Sequence, residues 1–179
     1  MIDHSPDGKA VELWLRSFDP MTAGPAHDRA LEFVDRLETR DSIDSVRVGV
    51  WGRAFQRTDR VRSIPQLERI ETTIASFETW ADRTGRQLEP FFRMRHVESK
   101  LTGETFEICR LPSIALAEYR GGNVVHVAPS RDGDRTIDVL DRLEALVCGE
   151  ATDPTLAFDD SSDRSADEQP RRYRRGYPR

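Results

Sequence analysis

The sequence predicts an α/β (α+β) sandwich, with one mixed sheet of about six strands and three helices in the order β-α-β-α-β-β-β-β-α. Three observations support this fold class. A strand-helix-strand pattern opens the chain, a long amphipathic helix follows, and four short strand-like segments separated by turn signals precede a final helix. A sheet of this kind buries its apolar faces against helices, which gives a layered architecture.

The opening unit combines a two-residue period with a helical one. Apolar residues alternate over residues 11–15 and again over 46–50, as expected of two strands. Between them, Pro25 suits a first helical turn. The apolar residues that recur there at helical spacing are Ala26, Ala30, Phe33, Val34 and Leu37. The short joints predict a parallel strand pair connected by this helix.

The clearest helix follows a polar connector. Its apolar stripe consists of Leu67, Ile70, Ile74, Phe77 and Ala81. Pro65 suits the first turn, and Gly85 suits the C-terminal stop. We expect Ile70, Ile74 and Phe77, which form the centre of the stripe, to be buried.

The second half of the ordered region reads as an antiparallel meander and a last helix. Strands are predicted over residues 91–99, 104–111, 114–119 and 124–128. Turns are predicted at Thr102-Gly103 and Gly121-Gly122, and Asp132 or Asp134 is the expected N-cap of the last helix. The stripe of that helix is Ile137, Leu140, Leu143 and Val147. Every predicted helix is therefore followed by a strand or by the C-terminal tail.

We expect residues 10–148 to form a single α/β domain and residues 149–179 to form a disordered tail, acidic first and then basic. After Gly149 the apolar periodicity stops, and Asp, Ser, Pro and Arg dominate. The last nine residues hold five arginines interleaved with Tyr173 and Tyr177, which is the chemistry of loose single-strand nucleic-acid contacts. The preceding acidic stretch can neutralise them in cis, so a solvated tail is the simpler interpretation.

Composition restricts the function classes. The chain carries a net charge of -5, with 25 arginines and only two lysines, and residues 1–170 alone carry -10. A net negative charge of this size repels the phosphate backbone, so residues 1–170 as a whole do not attract nucleic acid. The sequence has no apolar run of the ~20 residues that a membrane helix needs, and Met1 to Lys9 has no signal-peptide pattern. We expect a soluble, cytoplasmic protein.

No catalytic or cofactor motif in the sequence is specific. Two cysteines exclude a disulfide framework and a cysteine-rich zinc site. A two-residue turn at Thr102-Gly103 would place His96 opposite Cys109, with His126 on the other face, so these three residues do not surround one metal ion. Cys109 in mid-strand is expected to be inert. We therefore predict no catalytic residue, no metal and no cofactor.

Aromatic and basic residues of the first two strands share one predicted face. Trp14 and Arg16 alternate with the apolar residues of the first strand, and Arg47 and Trp51 do so in the second. An Arg–Trp surface can bind planar or anionic groups. Parallel strands are normally covered on both faces, so the second helix can also pack there. Core packing, a subunit interface and a ligand site therefore stand as alternatives for this face.

A second basic group lies in the polar connector over residues 53–63. Arg53, Arg57, Arg60 and Arg62 fall within ten residues and are opposed there only by Asp59. Because the rest of the chain is acidic, any DNA contact needs a focused patch of this kind. We predict that any DNA contact runs through the phosphates and these four arginines, and not through a recognition helix.

Several strings together carry a family resemblance. They are Val48-Gly49-Val50-Trp51-Gly52-Arg53, Phe77-Glu78-Thr79-Trp80-Ala81, Leu88-Glu89-Pro90-Phe91-Phe92 and Val127-Ala128-Pro129, preceded by Val11-Glu12-Leu13-Trp14-Leu15-Arg16-Ser17. In this order the chain resembles a group of small haloarchaeal proteins often labelled helix-turn-helix (HTH) domain proteins, over roughly residues 10–146. The resemblance implies transcriptional regulation and brings no functional residues with it.

These observations predict a non-enzymatic binding or regulatory protein, with DNA or a second copy of the chain as its partner. The most specific version of this prediction is a DNA-linked transcriptional regulator. The alternative is a protein-interaction or homodimeric scaffold module with no nucleic-acid role. No small-molecule ligand is identifiable from the sequence. A closed cleft with a buried His or carboxylate would favour an enzyme instead.

Overall fold

A computed structural model describes residues 8–17, 24–57 and 64–149. The predicted tail over residues 150–179 lies outside these ranges, as do Arg60 and Arg62 of the connector. The described strands are β1 (Lys9–Leu15), β2 (Ser45–Val50), β3 (Ala54–Arg57), β4 (Arg93–Glu98), β5 (Thr105–Arg110), β6 (Ile114–Arg120), β7 (Asn123–Ala128), β8 (Ser130–Asp132) and β9 (Arg135–Ile137). The helices are α1 (Pro25–Glu38), α2 (Pro65–Thr84) and α3 (Val139–Cys148).

The helix boundaries follow the local signals in the sequence. Pro25 and Pro65 each occupy the first turn of a helix, where a missing N–H costs no hydrogen bond. Gly85 ends α2 with φ of 70°, and its N–H bonds to the carbonyl of Ala81. The predicted cap of α3 was wrong: Asp138, not Asp132 or Asp134, accepts a hydrogen bond from the N–H of Leu140.

The central sheet has the strand order β2-β1-β6-β7. β1 and β2 are parallel, with Leu13 opposite Val48, and α1 connects them. β6 and β7 extend the sheet with antiparallel pairing. The predicted parallel start and antiparallel continuation are therefore confirmed.

A separate small sheet has the strand order β3-β5-β4, so the strands do not form one sheet of about six as expected. β5 ends at Arg110, and Leu111 and Pro112 lie between it and β6; Pro112 has no N–H to donate to a strand ladder. The pairing register of β4 with β5 also differs from the expected one, because a loop longer than two residues joins them. His96 lies opposite Glu107, and Met94 lies opposite Cys109.

The sequence did not predict strand β3 or the hairpin formed by β8 and β9. β3 lies at the start of the polar connector; within β3, Phe55 is the one apolar residue that is buried, and the strand pairs with β5. β8 and β9 form a short hairpin over the segment that was expected to cap α3. Gly133 adopts a φ of 56° at its tip, which favours glycine.

The central sheet separates two hydrophobic cores. One contains the residues of β1 and β6 that face α1 and α3, such as Leu13 and Leu116. The other lies under α2 and also includes the inner face of the small sheet. Ile70, Ile74 and Phe77 are all buried there, as predicted. The α/β class with three helices and a mixed central sheet is confirmed.

One glycine is required by packing against a tryptophan. Gly49 lies opposite Trp14 in the parallel ladder. A Cβ atom at Gly49 would approach the Trp14 ring to 2.7 Å, which no ordinary packing allows. The indole of Trp14 thus lies flat over β2 and stacks on Trp51 with ring centroids 5.3 Å apart.

Within the described residues, no helix combines the length and the apolarity that a membrane-spanning segment requires.

Candidate nucleic-acid interface

The two faces of the small sheet differ in character. Met94, Phe55 and Cys109 are neighbours across the ladder and pack towards α2 in the second core. Because side chains alternate along a strand, the residues between them point the other way. We call this second surface the outer face. Its members are Arg93, Arg95, Val97, Phe106, Ile108, Arg110, Ala54 and Gln56.

The outer face carries positive charge without a carboxylate. Arg93, Arg95 and Arg110 are all exposed, and none of the outer-face residues is acidic. Arg93 lies directly opposite Arg110, and Arg95 follows two residues later on the same side of β4. The acidic residues of these strands, Glu98 and Glu107, occupy alternate positions that belong to the other face. The result is a compact cationic surface on an acidic chain.

The chemistry of this surface suits nucleic acid. Guanidinium groups bind phosphate or guanine edges with two parallel hydrogen bonds. Ile108 lies opposite Arg95, and Phe106 lies two residues away on the same side of β5; both are half-buried, so an aromatic ring is available beside the arginines for stacking on a base. Strands, as well as helices, are known to read DNA from one face of a sheet.

The structure describes two of the four connector arginines, Arg53 and Arg57, and they have different surroundings. Arg53 is exposed immediately before β3, and its carbonyl accepts a hydrogen bond from the N–H of Leu111. Arg57 is half-buried and donates to Glu78 at 2.8 Å, with Glu107 3.6 Å away. Burial alone would lower the pKa of Arg57, but the hydrogen bond and charge of Glu78, and then Glu107, raise the pKa above its usual value. Two carboxylates therefore already neutralise the Arg57 guanidinium.

The tryptophans of the predicted aromatic face lie in the core. Trp14 and Trp51 are buried against α2, which is the core-packing alternative. Trp51 donates through Nε1 to the carbonyl of Pro112. Arg16 is half-buried and donates to the carbonyl of Leu111 at 2.9 Å. Arg47, with its side chain 39% exposed, lies at the rim, 3.8 Å from Glu12.

Glu12 of β1 accepts hydrogen bonds from side chains of β6 and α2. Its carboxylate accepts hydrogen bonds from Trp14 Nε1, Tyr119 Oη and Arg69 Nη2 at 3.1–3.3 Å. Burial, and then the charge of Glu12, raises the pKa of Tyr119, so the phenol remains a donor. A polar cleft of about 290 Å³ beside these groups includes Arg47. Donors already surround this carboxylate, which therefore serves to hold β1, β6 and α2 together.

The histidines and cysteines do not converge. His96 is exposed on β4 and lies 2.8 Å from Glu107, whereas His126 is buried in the central sheet beside Trp80. Cys109 is buried and Cys148 is exposed. Across the ranges that the structure describes, no three His, Cys, Asp or Glu residues cluster in a way that could hold a metal ion.

The outer-face arginines were not among the site residues predicted from the sequence. The sequence predicted strands over residues 91–99 and 104–111, but it did not predict a surface shared by the arginines of these strands. The alternation Arg93, Arg95 and the return at Arg110 were visible, but their alignment depends on the register of the β4–β5 pair. With the shorter turn assumed from Thr102-Gly103, Arg93 would not have lain opposite Arg110.

No curated protein and no solved structure matches the chain. Residues 3–151 match the model of a protein family described as a helix-turn-helix domain. Within the described ranges, α1 is followed by β2, α2 by β4, and α3 by no further helix, so two adjacent helices joined by a short turn are not seen there. The match nevertheless spans most of the sequence, and the resemblance to helix-turn-helix domain proteins is confirmed: the chain belongs to this helix-turn-helix domain family.

Proposed function

We propose that the protein is a non-enzymatic, DNA-linked transcriptional regulator of the cytoplasm that contacts DNA through the outer face of its small sheet. The observation that carries this proposal is the group of three exposed arginines, Arg93, Arg95 and Arg110, on a face without a carboxylate. Membership of a helix-turn-helix domain family supports the regulatory role.

Electrostatics favours the sheet over a recognition helix. The chain is acidic, so DNA association needs a local field of opposite sign. The exposed side of α1 mixes both charges, with Asp28, Glu32 and Asp35 close to Arg29 and Arg36. The outer face has arginines alone among its charged residues, and the paired strands hold them in a fixed arrangement.

The connector arginines extend the proposed contact. Arg53 is exposed next to β3, so it can add a phosphate contact at the edge of the outer face. Arg60 and Arg62 follow a few residues later, outside the described ranges, and remain part of the proposal on sequence grounds. Arg57 enters only as a positioning residue, because Glu78 and Glu107 neutralise it.

The proposal is tested by replacing Arg93, Arg95 and Arg110 with Gln and measuring duplex DNA binding by fluorescence anisotropy over a range of salt concentrations. Each lost phosphate contact lowers the log–log salt slope by about 0.9, so the triple variant should lose about 2.7 from the wild-type slope. Binding should weaken on all sequences alike if the arginines contact phosphates, and unequally if they read bases. The matched control replaces Arg29, Arg36 and Arg120, which are also exposed, with Gln.

The possible results distinguish the outer face from the connector as the site of DNA contact. Equal loss in the control variant would mean that net charge, not the outer face, drives binding. If the outer-face variant binds normally but replacement of Arg53, Arg57, Arg60 and Arg62 abolishes binding, the connector is the contact. If the wild type binds no DNA in low salt or in molar salt, the regulator proposal fails.

A homodimeric or protein-interaction module is the second candidate, because the same region exposes apolar groups. Leu101, at the tip of the β4–β5 hairpin, is 98% exposed, and Val97, Phe106 and Ile108 are half-buried on the outer face. Light scattering distinguishes this candidate from a monomeric DNA-binding protein. A dimer that dissociates when Leu101 and Phe106 become Ser, in a protein that binds no DNA, would establish it.

A further inference from the structure

A second cleft lies on the opposite side of the small sheet from the outer face. It has a volume of about 460 Å³ and opens between the C-terminal half of α2, the segment over residues 86–92 and the inner side of β4 and β5. Pockets that take small organic ligands have volumes of about 300–1,000 Å³. We call this space the α2 cleft.

The inner wall of the α2 cleft is apolar. Ile74 and Phe92 are buried there, and Leu88 and Met94 are half-buried and line the space. Phe92 is held by edge-to-face contacts with Trp51 and Phe77, at centroid distances of 5.8 and 6.0 Å. This aromatic ring is therefore fixed in place, and it gives an entering apolar group a rigid surface to contact.

The rim of the α2 cleft is acidic. Glu78, Asp82 and Glu89 line it, against the single guanidinium of Arg86, which lies 3.5 Å from Asp132. Glu78 is shared with Arg57, whereas Asp82 and Glu89 are exposed at the mouth. The C-terminal end of α2 adds to this, because a helix terminus of this kind carries about half a negative charge.

From this combination we propose that the α2 cleft binds a small organic cation with an apolar body. The apolar part contacts Phe92, Leu88 and Met94, and the positive group lies between Asp82 and Glu89. This site goes beyond the proposed DNA contact and does not depend on it. Apolar burial provides affinity, and the carboxylates select cations over neutral and anionic compounds.

The thiol on the inner wall is consistent with this selectivity. Burial, and then the charge of Glu78, raises the pKa of Cys109 to about 11, although Arg57 acts in the opposite direction. The thiol is therefore neutral at physiological pH and contributes to the apolar wall. A neutral wall below an acidic rim gives the ligand an orientation, with its apolar end innermost.

Three probes that differ only in their terminal group test the proposal: 4-phenylbutylammonium, 4-phenylbutanol and 4-phenylbutanoate. Calorimetry on the full-length chain should show the strongest binding for the ammonium compound and the weakest for the carboxylate. Replacing Asp82 with Asn and Glu89 with Gln should weaken binding of the ammonium probe about tenfold and change the alcohol less than about twofold. Both residues are exposed, so the variant is expected to fold normally.

Two further variants complete the design. The matched control replaces Asp35 with Asn and Glu38 with Gln on α1, which removes the same charge elsewhere and should leave all three affinities unchanged. Leu88→Ala should weaken all three probes by a similar factor, because it shortens the apolar wall. Equal affinity for the three probes, equal loss in the control, or no binding of the ammonium probe at millimolar concentration would each overturn the proposal.

The α2 cleft and the outer face lie on opposite sides of the same two strands, β4 and β5. Met94 and Cys109 line the cleft, and their chain neighbours Arg93, Arg95 and Arg110 point to the outer face. A ligand in the cleft thus contacts the strands that carry the arginines. Only a link between the cleft and the DNA contact rests on the proposed function. The calorimetry is done without DNA, so a failure of DNA binding and a failure of ligand binding in the cleft remain distinguishable.

Discussion

At the scale of single residues, the ion pair between Glu118 of β6 and Arg142 of α3 joins a helix to the central sheet. Both side chains are at least 95% buried, and Arg142 donates from Nε to Oε1 and from Nη2 to Oε2, the latter at 3.1 Å. Lys9 Nζ lies 3.6 Å from the same carboxylate. Two hydrogen bonds and a second cation offset the cost of removing these charges from water.

Removing one partner of this pair should destabilise the protein more than removing both. Arg142→Met leaves a buried carboxylate without the guanidinium that donates two hydrogen bonds to it, and we expect the free energy of unfolding to fall by about 3–5 kcal/mol. The double variant Glu118→Leu, Arg142→Met should recover a large part of that loss. Urea denaturation at pH 7 measures both, and a single-variant loss below about 1 kcal/mol would mean that the pair is solvated.

At the scale of elements, α2 fastens the two sheets together. It contacts β7 of the central sheet, where Trp80 Nε1 and Arg83 Nη2 donate to the carbonyls of Val125 and Val124. Its apolar stripe also covers the inner side of the small sheet, where Phe77 meets Phe92. The position of the small sheet relative to the central sheet therefore depends on α2.

Phe77→Ala tests the role of the α2 stripe. Phe77 is fully buried, so its truncation leaves a cavity and should cost about 3–5 kcal/mol of unfolding free energy. The matched control is Phe106→Ala on the outer face, where the ring is half-buried and the expected cost is about 1 kcal/mol. Chemical denaturation of the two variants gives the comparison. Similar costs at the two positions would contradict the packing of α2 onto the sheets.

At the scale of the whole molecule, charge and packing are distributed unevenly. The central sheet is covered by α1 and α3 on one side and by α2 on the other. Among the residues that the structure describes, α2 covers the inner face of the small sheet, whereas the three arginines of the outer face are exposed. In the sequence beyond Gly149, acidic residues come first and arginines last.

Deleting residues 150–179 should leave the melting temperature within about 2 °C of the full-length value, because such a polar segment adds few buried contacts. Circular dichroism melts of both forms, in the same salt, provide the measurement. A fall of about 10 °C, which corresponds to more than 1 kcal/mol for a domain of this size, would show that the tail packs onto the domain.

The sequence by itself determined the helices, most of the strands and the residues of the core. Pro25, Pro65 and Gly85 act through the backbone of their own neighbours, and a stripe such as Ile70, Ile74 and Phe77 reports burial through its period alone. These signals are local, so they can be interpreted without knowing what packs against them. The family resemblance also came from short strings in order, and the family match over residues 3–151 confirms it.

Only the tertiary structure decided how the strands divide into two sheets and which side chains share a surface. The register of β4 with β5 places Arg93 opposite Arg110, and a shift by two residues would break that pair. In the sequence Arg57 belongs to a basic group, but in the structure the carboxylates of Glu78 and Glu107, which are distant in the sequence, lie within 4 Å of its guanidinium. Pairing between strands and the approach of distant charges depend on the whole packed chain, and a local pattern carries no information about either.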